Sequence, residues 1–214
     1  MNQTEIRYAF STQAFRILVS AAGIEYLACF AEADKPEEDP PEKYQAELFS
    51  LVKRGLIEIR EEQYHLNQIC SDMVCTIRDR KKMMLLRGED MEEILYLTEK
   101  NAVAATPGRK KDEYIFLEYL KQKDLDEHIK NILPENLFPQ EILDGKKDME
   151  DFPDSGEEIL SIELMDIKDE IRGKYGIFRK DDYLYYTDEK ESEVYLYQKE
   201  EFMGKLISEC REEK

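Results

Sequence analysis

Tryptophan is absent from this chain, histidine occurs twice and cysteine four times, and each scarcity removes a class of chemistry. Histidine is the usual acid–base residue near neutral pH and the commonest metal ligand. His65 and His128 have no second ligand at metal spacing, so no zinc site is expected. Cys29, Cys70, Cys75 and Cys210 contain no Cys-x-x-Cys pair. Three of the four fall on apolar helical stripes and read as buried thiols of a reducing compartment. GxSxG, HExxH and a glycine-rich phosphate loop are all missing. Adjacent carboxylates such as Glu157–Glu158 and Asp181–Asp182 do occur, but with 49 acidic residues such pairs are expected on solvated faces. No catalytic, metal-ligating or cofactor-binding set emerges, and the expectation is a protein that is not an enzyme. Long apolar runs are missing as well, none approaching the roughly 18–20 residues of a membrane span. The opening MNQTEIRYAFSTQAFR has no charged start leading into an apolar core, so a cytoplasmic protein is expected.

What is present is an ordinary globular complement, 42% hydrophobic and 10% aromatic, in a strongly acidic chain of net charge −18. The charge is uneven. Residues 1–88 hold 12 basic against 14 acidic side chains, whereas 89–214 hold 19 against 35. The step near Gly88 suggests two parts, a winged-helix-like helical unit over 1–88 and an acidic α+β body over 89–214, packed as one globule. An acidic body repels phosphate, so any nucleic-acid role belongs to the first part.

The clearest local pattern runs from Pro41 to Arg87. Tyr44, Leu48, Leu51 and Val52 have helical spacing, and Gly55 suits the left-handed residue that closes a helix. Leu56, Ile57 and Ile59, a turn at Glu61–Glu62, then Tyr64 and Leu66 read as a hairpin. Asn67 caps a second helix with the stripe Ile69, Cys70, Met73, Val74, Ile77, Met84 and Leu85. Upstream, Ser11 or Thr12 caps a helix carrying Phe15, Leu18, Val19, Ala22, Tyr26, Cys29 and Phe30, with Gly23 inside it, followed by the polar connector DKPEEDPP.

Beyond Gly88 the pattern becomes extended. Ile94–Thr98, Ala102–Thr106 and Tyr114–Leu120 read as strands, the last running into a helix with Leu125, Ile129 and Ile132 that Pro134 ends. The acidic, proline-broken stretch 135–156 carries Phe138, Ile142, Leu143 and Phe152, which suggest packing on the body. Ile159–Ile167, Tyr175–Phe178, Tyr183–Thr187 and Val194–Gln198 form an antiparallel meander, and a last helix carries Phe202, Met203, Leu206, Ile207 and Cys210. Glu92-Glu93-Ile94-Leu95 recurs as Glu157-Glu158-Ile159-Leu160, and LEYLKQKDLDEHI is echoed by VYLYQKEEFMGKL, placing Leu125 over Phe202 and Ile129 over Leu206. The echo suggests two strand–helix halves, 89–134 and 157–214, sharing an antiparallel sheet with two packed helices in a pseudo-twofold arrangement.

Two features lean towards partner binding. Basic residues cluster at Arg78, Arg80, Lys81, Lys82 and Arg87, and again at Arg109, Lys110 and Lys111 on a hairpin turn; pairing with solvent or the protein's own acids is the simpler reading. Tyr183, Tyr185, Tyr186, Tyr195 and Tyr197 alternate on neighbouring strands, where core or cross-strand packing competes with a sticky partner face formed by Tyr183, Tyr185, Tyr195 and Tyr197. A DNA-reading winged helix clamps phosphate with a basic wing, but this wing tip is Arg60-Glu61-Glu62, which favours a structural or protein-binding unit.

In element order, with a leucine-rich helix ending in Arg54-Gly55-Leu56, a short polar wing and a later internal duplication, the chain resembles the EspG-type chaperones of ESX (type VII) secretion systems. The resemblance implies a non-catalytic cytosolic adaptor that holds a helical secretion substrate, and so a helical protein partner. No diagnostic motif accompanies it, and the chain is richer in acid, lysine and tyrosine than that family. The alternative is a winged-helix transcriptional regulator with an acidic sensing or dimerisation domain.

Overall fold

The computed structural model describes residues 7–24, 41–108, 114–136, 147–148, 156–180, 183–190 and 193–211. In chain order the elements are β1 (Arg7–Ser11), α1 (Thr12–Ala21), α2 (Pro41–Lys53), β2 (Ile57–Arg60), β3 (Gln63–Leu66) and α3 (Gln68–Arg78). There follow β4 (Lys82–Gly88), β5 (Glu92–Leu97), β6 (Asn101–Pro107), β7 (Tyr114–Lys121), α4 (Gln122–Ile132) and β8 (Lys147–Asp148). The chain continues with β9 (Glu157–Asp166), β10 (Ile171–Lys180), β11 (Tyr183–Asp188), β12 (Glu193–Leu196) and α5 (Lys199–Arg211).

Among the described residues ten strands form one antiparallel sheet, ordered β1-β7-β6-β5-β4-β9-β10-β11-β12-β8, and β2–β3 stands apart as a hairpin. The sheet crosses Gly88 without interruption, because β4 is hydrogen-bonded to β5 on one side and to β9 on the other. Two four-stranded meanders, β4–β7 and β9–β12, therefore meet at the β4–β9 seam, and each runs into a helix. The repeated Glu-Glu-Ile-Leu falls on β5 and β9, strands of different rank in their meanders.

Position β4 corrects the expected second helix. That helix stops at Arg78, and Met84 and Leu85 lie instead in a central strand. Met83, Met84, Leu85 and Leu86 are all fully or almost fully buried, two on each face. A run apolar on both faces has no alternation to mark it as a strand. Each side chain removes apolar surface worth roughly 1.5–3 kcal/mol.

Side-chain alternation builds two cores. One face presents Met83, Leu85, Ile94, Tyr96, Val103 and Leu117 to α1, α2 and α3. The other presents Met84, Leu86, Leu95, Ile162, Ile177 and Tyr186 to α4 and α5, which bury Leu125, Ile129, Phe202 and Leu206. The first core takes only Met165 from β9–β12 among the described residues, so α1–α3 cover one half of their face.

Caps and hinges fix the first layer. Ser11 Oγ accepts from the Ala14 amide at 3.0 Å and starts α1, a cap worth about 1 kcal/mol. Gly23 does not sit inside this helix as expected: α1 ends at Ala21, and Gly23 has φ +72, the left-handed conformation that terminates a helix. Tyr26, Cys29 and Phe30 lie outside the described residues, as do Phe138, Ile142, Leu143 and Phe152. Gly55, with φ +68, closes α2 as its position implied. Asn67 then serves two helices, accepting from the Cys70 amide at 2.9 Å and donating through Nδ2 to the Gly55 carbonyl at 2.9 Å. Arg54 reaches from α2's end to β1, donating to the Ala9 carbonyl at 2.6 Å and lying 5.4 Å from the Phe10 ring centroid.

Candidate protein-binding surface

The register of β11 and β12 divides the tyrosines. Tyr186 stands directly opposite Ile177 and Tyr195, whereas Tyr185 stands opposite Phe178 and Leu196. Directly opposed residues share a face, so Tyr186, Tyr195 and Tyr197 belong to the α5 side and Tyr183 and Tyr185 to the other. Tyr186 and Tyr195 stack with centroids 4.9 Å apart. Phe202 of α5 wedges among Tyr175, Tyr186 and Tyr197 at 5.7, 4.8 and 5.6 Å. Tyr197 is fully buried and donates its hydroxyl to the Pro134 carbonyl at 3.0 Å. Burial pushes that hydroxyl's pKa up. Tyr197 is therefore a packing residue of the α5 layer, a correction to its reading as a partner contact, while half-buried Tyr195 stacks in the same layer. Tyr183, with 38% of its surface exposed, and half-buried Tyr185 remain on the half of the sheet that the described residues cover less.

Lys205 explains why the α5 layer tolerates an ammonium. Its Nζ is 2.6 Å from the buried Asp188 carboxylate and 5.6 to 5.9 Å from the centroids of Tyr175, Tyr186 and Tyr195.

Arg109, Lys110 and Lys111 lie outside the described residues, between β6 and β7. The other basic cluster is largely engaged within the chain. Arg78 pairs with Asp79 at 2.8 Å, Arg80 with Asp169 at 3.2 Å, and Arg87 with Glu92 and Glu163 at 3.5 and 3.8 Å. Lys82 donates to the Glu209 carbonyl. Lys81 stands at the rim of a cleft of about 340 Å³ between α3 and the β5–β6 turn, together with Asp72, Cys75, Asp79, Glu99 and Tyr119. Its charges of both signs select no single ligand.

Four exposed large apolar side chains on α2 and the β2–β3 hairpin were not singled out by sequence reasoning. Tyr44 and Phe49 of α2 are 46% and 70% exposed, and Ile59 and Tyr64 of the hairpin are 59% and 60% exposed. Ile59 and Tyr64 are direct cross-strand partners, as are Ile57 and Leu66 on the same hairpin face. Ile57 is buried, so the apolar face continues outward from the core onto an exposed pair. In α2 the stripe Leu48, Leu51 and Val52 turns inward, while Phe49 lies off it and Tyr44 lies at its outer end. The signal was therefore present, as a large apolar residue off the stripe and a cross-strand pair far from the hinge. At the hairpin tip Glu61 and Glu62 both have positive φ, 51 and 61, which a two-residue turn of this hand requires. Glu58 and Arg60 pair along one strand at 2.8 Å, leaving the tip acidic.

Reactive groups elsewhere are muted. Burial pushes the Cys70 thiol up to about 11 and the Cys210 thiol up to about 12, which keeps both protonated and poorly nucleophilic. Among the described residues no three His, Cys, Asp or Glu side chains are placed to hold a metal ion. No helix of the described residues is long and apolar enough to cross a membrane. A buried His128–Glu93 contact of 2.6 Å lies beneath α4. No protein-family model matches this chain, and no curated protein sequence matches it.

Proposed function

We propose that this protein is a non-catalytic, cytosolic protein-binding adaptor or chaperone that receives a helical secretion substrate of the ESX type. The observation that carries the binding role is the exposed set Tyr44, Phe49, Ile59 and Tyr64 on α2 and the β2–β3 hairpin. Large apolar side chains gathered on one helix–hairpin unit mark an interaction surface, where singly scattered ones do not. The client class follows from the resemblance in element order. Two meander-plus-helix halves meeting at β4 and β9 agree with the pseudo-twofold arrangement that belongs to this reading.

The second reading, a winged-helix regulator, is favoured by the order α2, hairpin, Asn67-capped α3. The tip counts against it, since Glu61 and Glu62 would face phosphate.

Native mass spectrometry of the tagged protein isolated from its own host at low salt tests both. The expected result is a stoichiometric small helical protein bound to the wild type and lost from the variant F49S/I59S/Y64S. Exposed positions of this kind change stability by about 0.5 kcal/mol or less each, so the variant's denaturation midpoint checks that it remains folded. DNA without such a protein moves the assignment to the regulator. A client retained by the variant moves the binding surface to Tyr183 and Tyr185.

A further inference from the structure

Beneath α4 the sheet carries polar side chains where its neighbours carry core. Arg7 of β1, Glu118 of β7, Thr106 of β6 and Glu93 of β5 occupy four successive strands on the α4 face. His128 descends from α4 onto this row. Its Nε2 is 2.6 Å from Glu93 Oε1, Thr106 Oγ1 donates to Glu93 Oε2 at 3.1 Å, and Arg7 Nε donates to Glu118 Oε2 at 2.8 Å. Glu93, Glu118 and His128 are each more than nine-tenths buried, and Glu118 Oε1 has no hydrogen-bond partner. Two carboxylates thus share one permanent cation and one titratable one.

We propose that this quartet is a proton-operated latch: protonated His128 balances Glu93 and clamps α4 onto β5–β7, and neutral His128 releases the helix. With the imidazolium present the four formal charges cancel. Without it the site holds two buried carboxylates against one guanidinium, and an uncompensated buried charge is strongly destabilising. The release is local, because Leu125, Ile129 and Leu133 are α4's other main anchors, whereas β4 and β9 are held by strands on both sides.

The remaining charges near α4 are committed elsewhere. On α4, Asp126 pairs with Arg211 and Lys130 with Glu200, both of α5, at 2.8 and 2.6 Å. Asp124 lies 3.9 Å from Lys123, and Glu127 is exposed. On β5, Glu92 turns to the opposite face and meets Arg87. Glu93, Glu118 and Arg7 are therefore the groups that set the balance at His128.

Burial alone disfavours the imidazolium. The Glu93 hydrogen bond and the charges of Glu93 and Glu118 outweigh burial and the opposing Arg7, so the His128 pKa lies above its ordinary 6.5. A group raised on folding contributes stability fully below its unfolded value and loses that contribution as pH rises through the folded value. The latch is closed below the ordinary histidine value and opens as pH rises through the raised folded value.

Proton NMR titration of the His128 ring, with amide exchange of α4 from about pH 6 to 9, tests this on the intact protein. The latch requires His128 to titrate above the ordinary histidine value of about 6.5. After correction for intrinsic exchange, the opening constant of α4 should then rise about tenfold per pH unit between the ordinary and folded values, with β4 and β9 unchanged. Glu93→Gln should bring His128 down to or below that ordinary value and remove the pH step; if that variant does not fold, the wild-type titration decides alone. His128 titrating at or below the ordinary value, or α4 protection indifferent to its titration, overturns the latch.

Discussion

Gly55 and Gly176 show how a missing Cβ matters in two different ways. At Gly55 a methyl group would meet nothing within 4 Å, so the constraint is the φ of +68 alone. Gly55→Ala should therefore cost about 1 kcal/mol, the strain of an L residue in the left-handed region, read as a shift in the urea midpoint at unchanged slope. A much larger loss would mean that the α2–hairpin hinge has no freedom to relax. At Gly176 a Cβ would overlap the Phe178 ring, which lies across it, so there the constraint is steric. Gly55 was legible because it ends an apolar stripe. Gly176 was not, because the ring that fills its place belongs to the same strand two residues on.

Among the elements, α5 has the most concentrated attachment. Phe202 touches three tyrosine rings, from β10, β11 and the residue just after β12, and Leu206 lies beside it in the same core. Phe202→Ala should cost about 3–5 kcal/mol, measured by chemical denaturation, and should lower protection of α5 before that of β4–β7. The helix itself was readable from Phe202, Met203, Leu206, Ile207 and Cys210 at helical spacing, and all five do face the core. The strands it covers were also readable, yet their faces were not. Assigning Tyr183 and Tyr185 to one side and Tyr195 and Tyr197 to the other depends on Tyr186 pairing with Tyr195, a register set in the turn between β11 and β12. The strand Met83–Leu86 was hidden for the opposite reason, being buried on both faces and so without any alternation. β1 was missed because five residues running directly into a capped helix give too short a pattern.

For the molecule as a whole, the sheet's order separates neighbours in space from neighbours in sequence. β1 pairs with β7, and β4 with β9, while the hairpin steps between β4 and β7 and between β9 and β12 are local. Local meanders form readily, whereas the long-range pairings carry the loop-closure cost and slow the search. Residues 1–134 on their own hold both sides of the first meander but leave β4 without β9, and such a fragment should self-associate more than the intact chain does in size-exclusion chromatography. An exposed strand as apolar as Met83–Leu86 is a template for any passing edge. The β4–β9 seam thus sets a hazard in time as well as an architecture: during synthesis the ribosome releases β4 long before it releases β9, and throughout that interval the nascent chain carries an unpaired apolar edge.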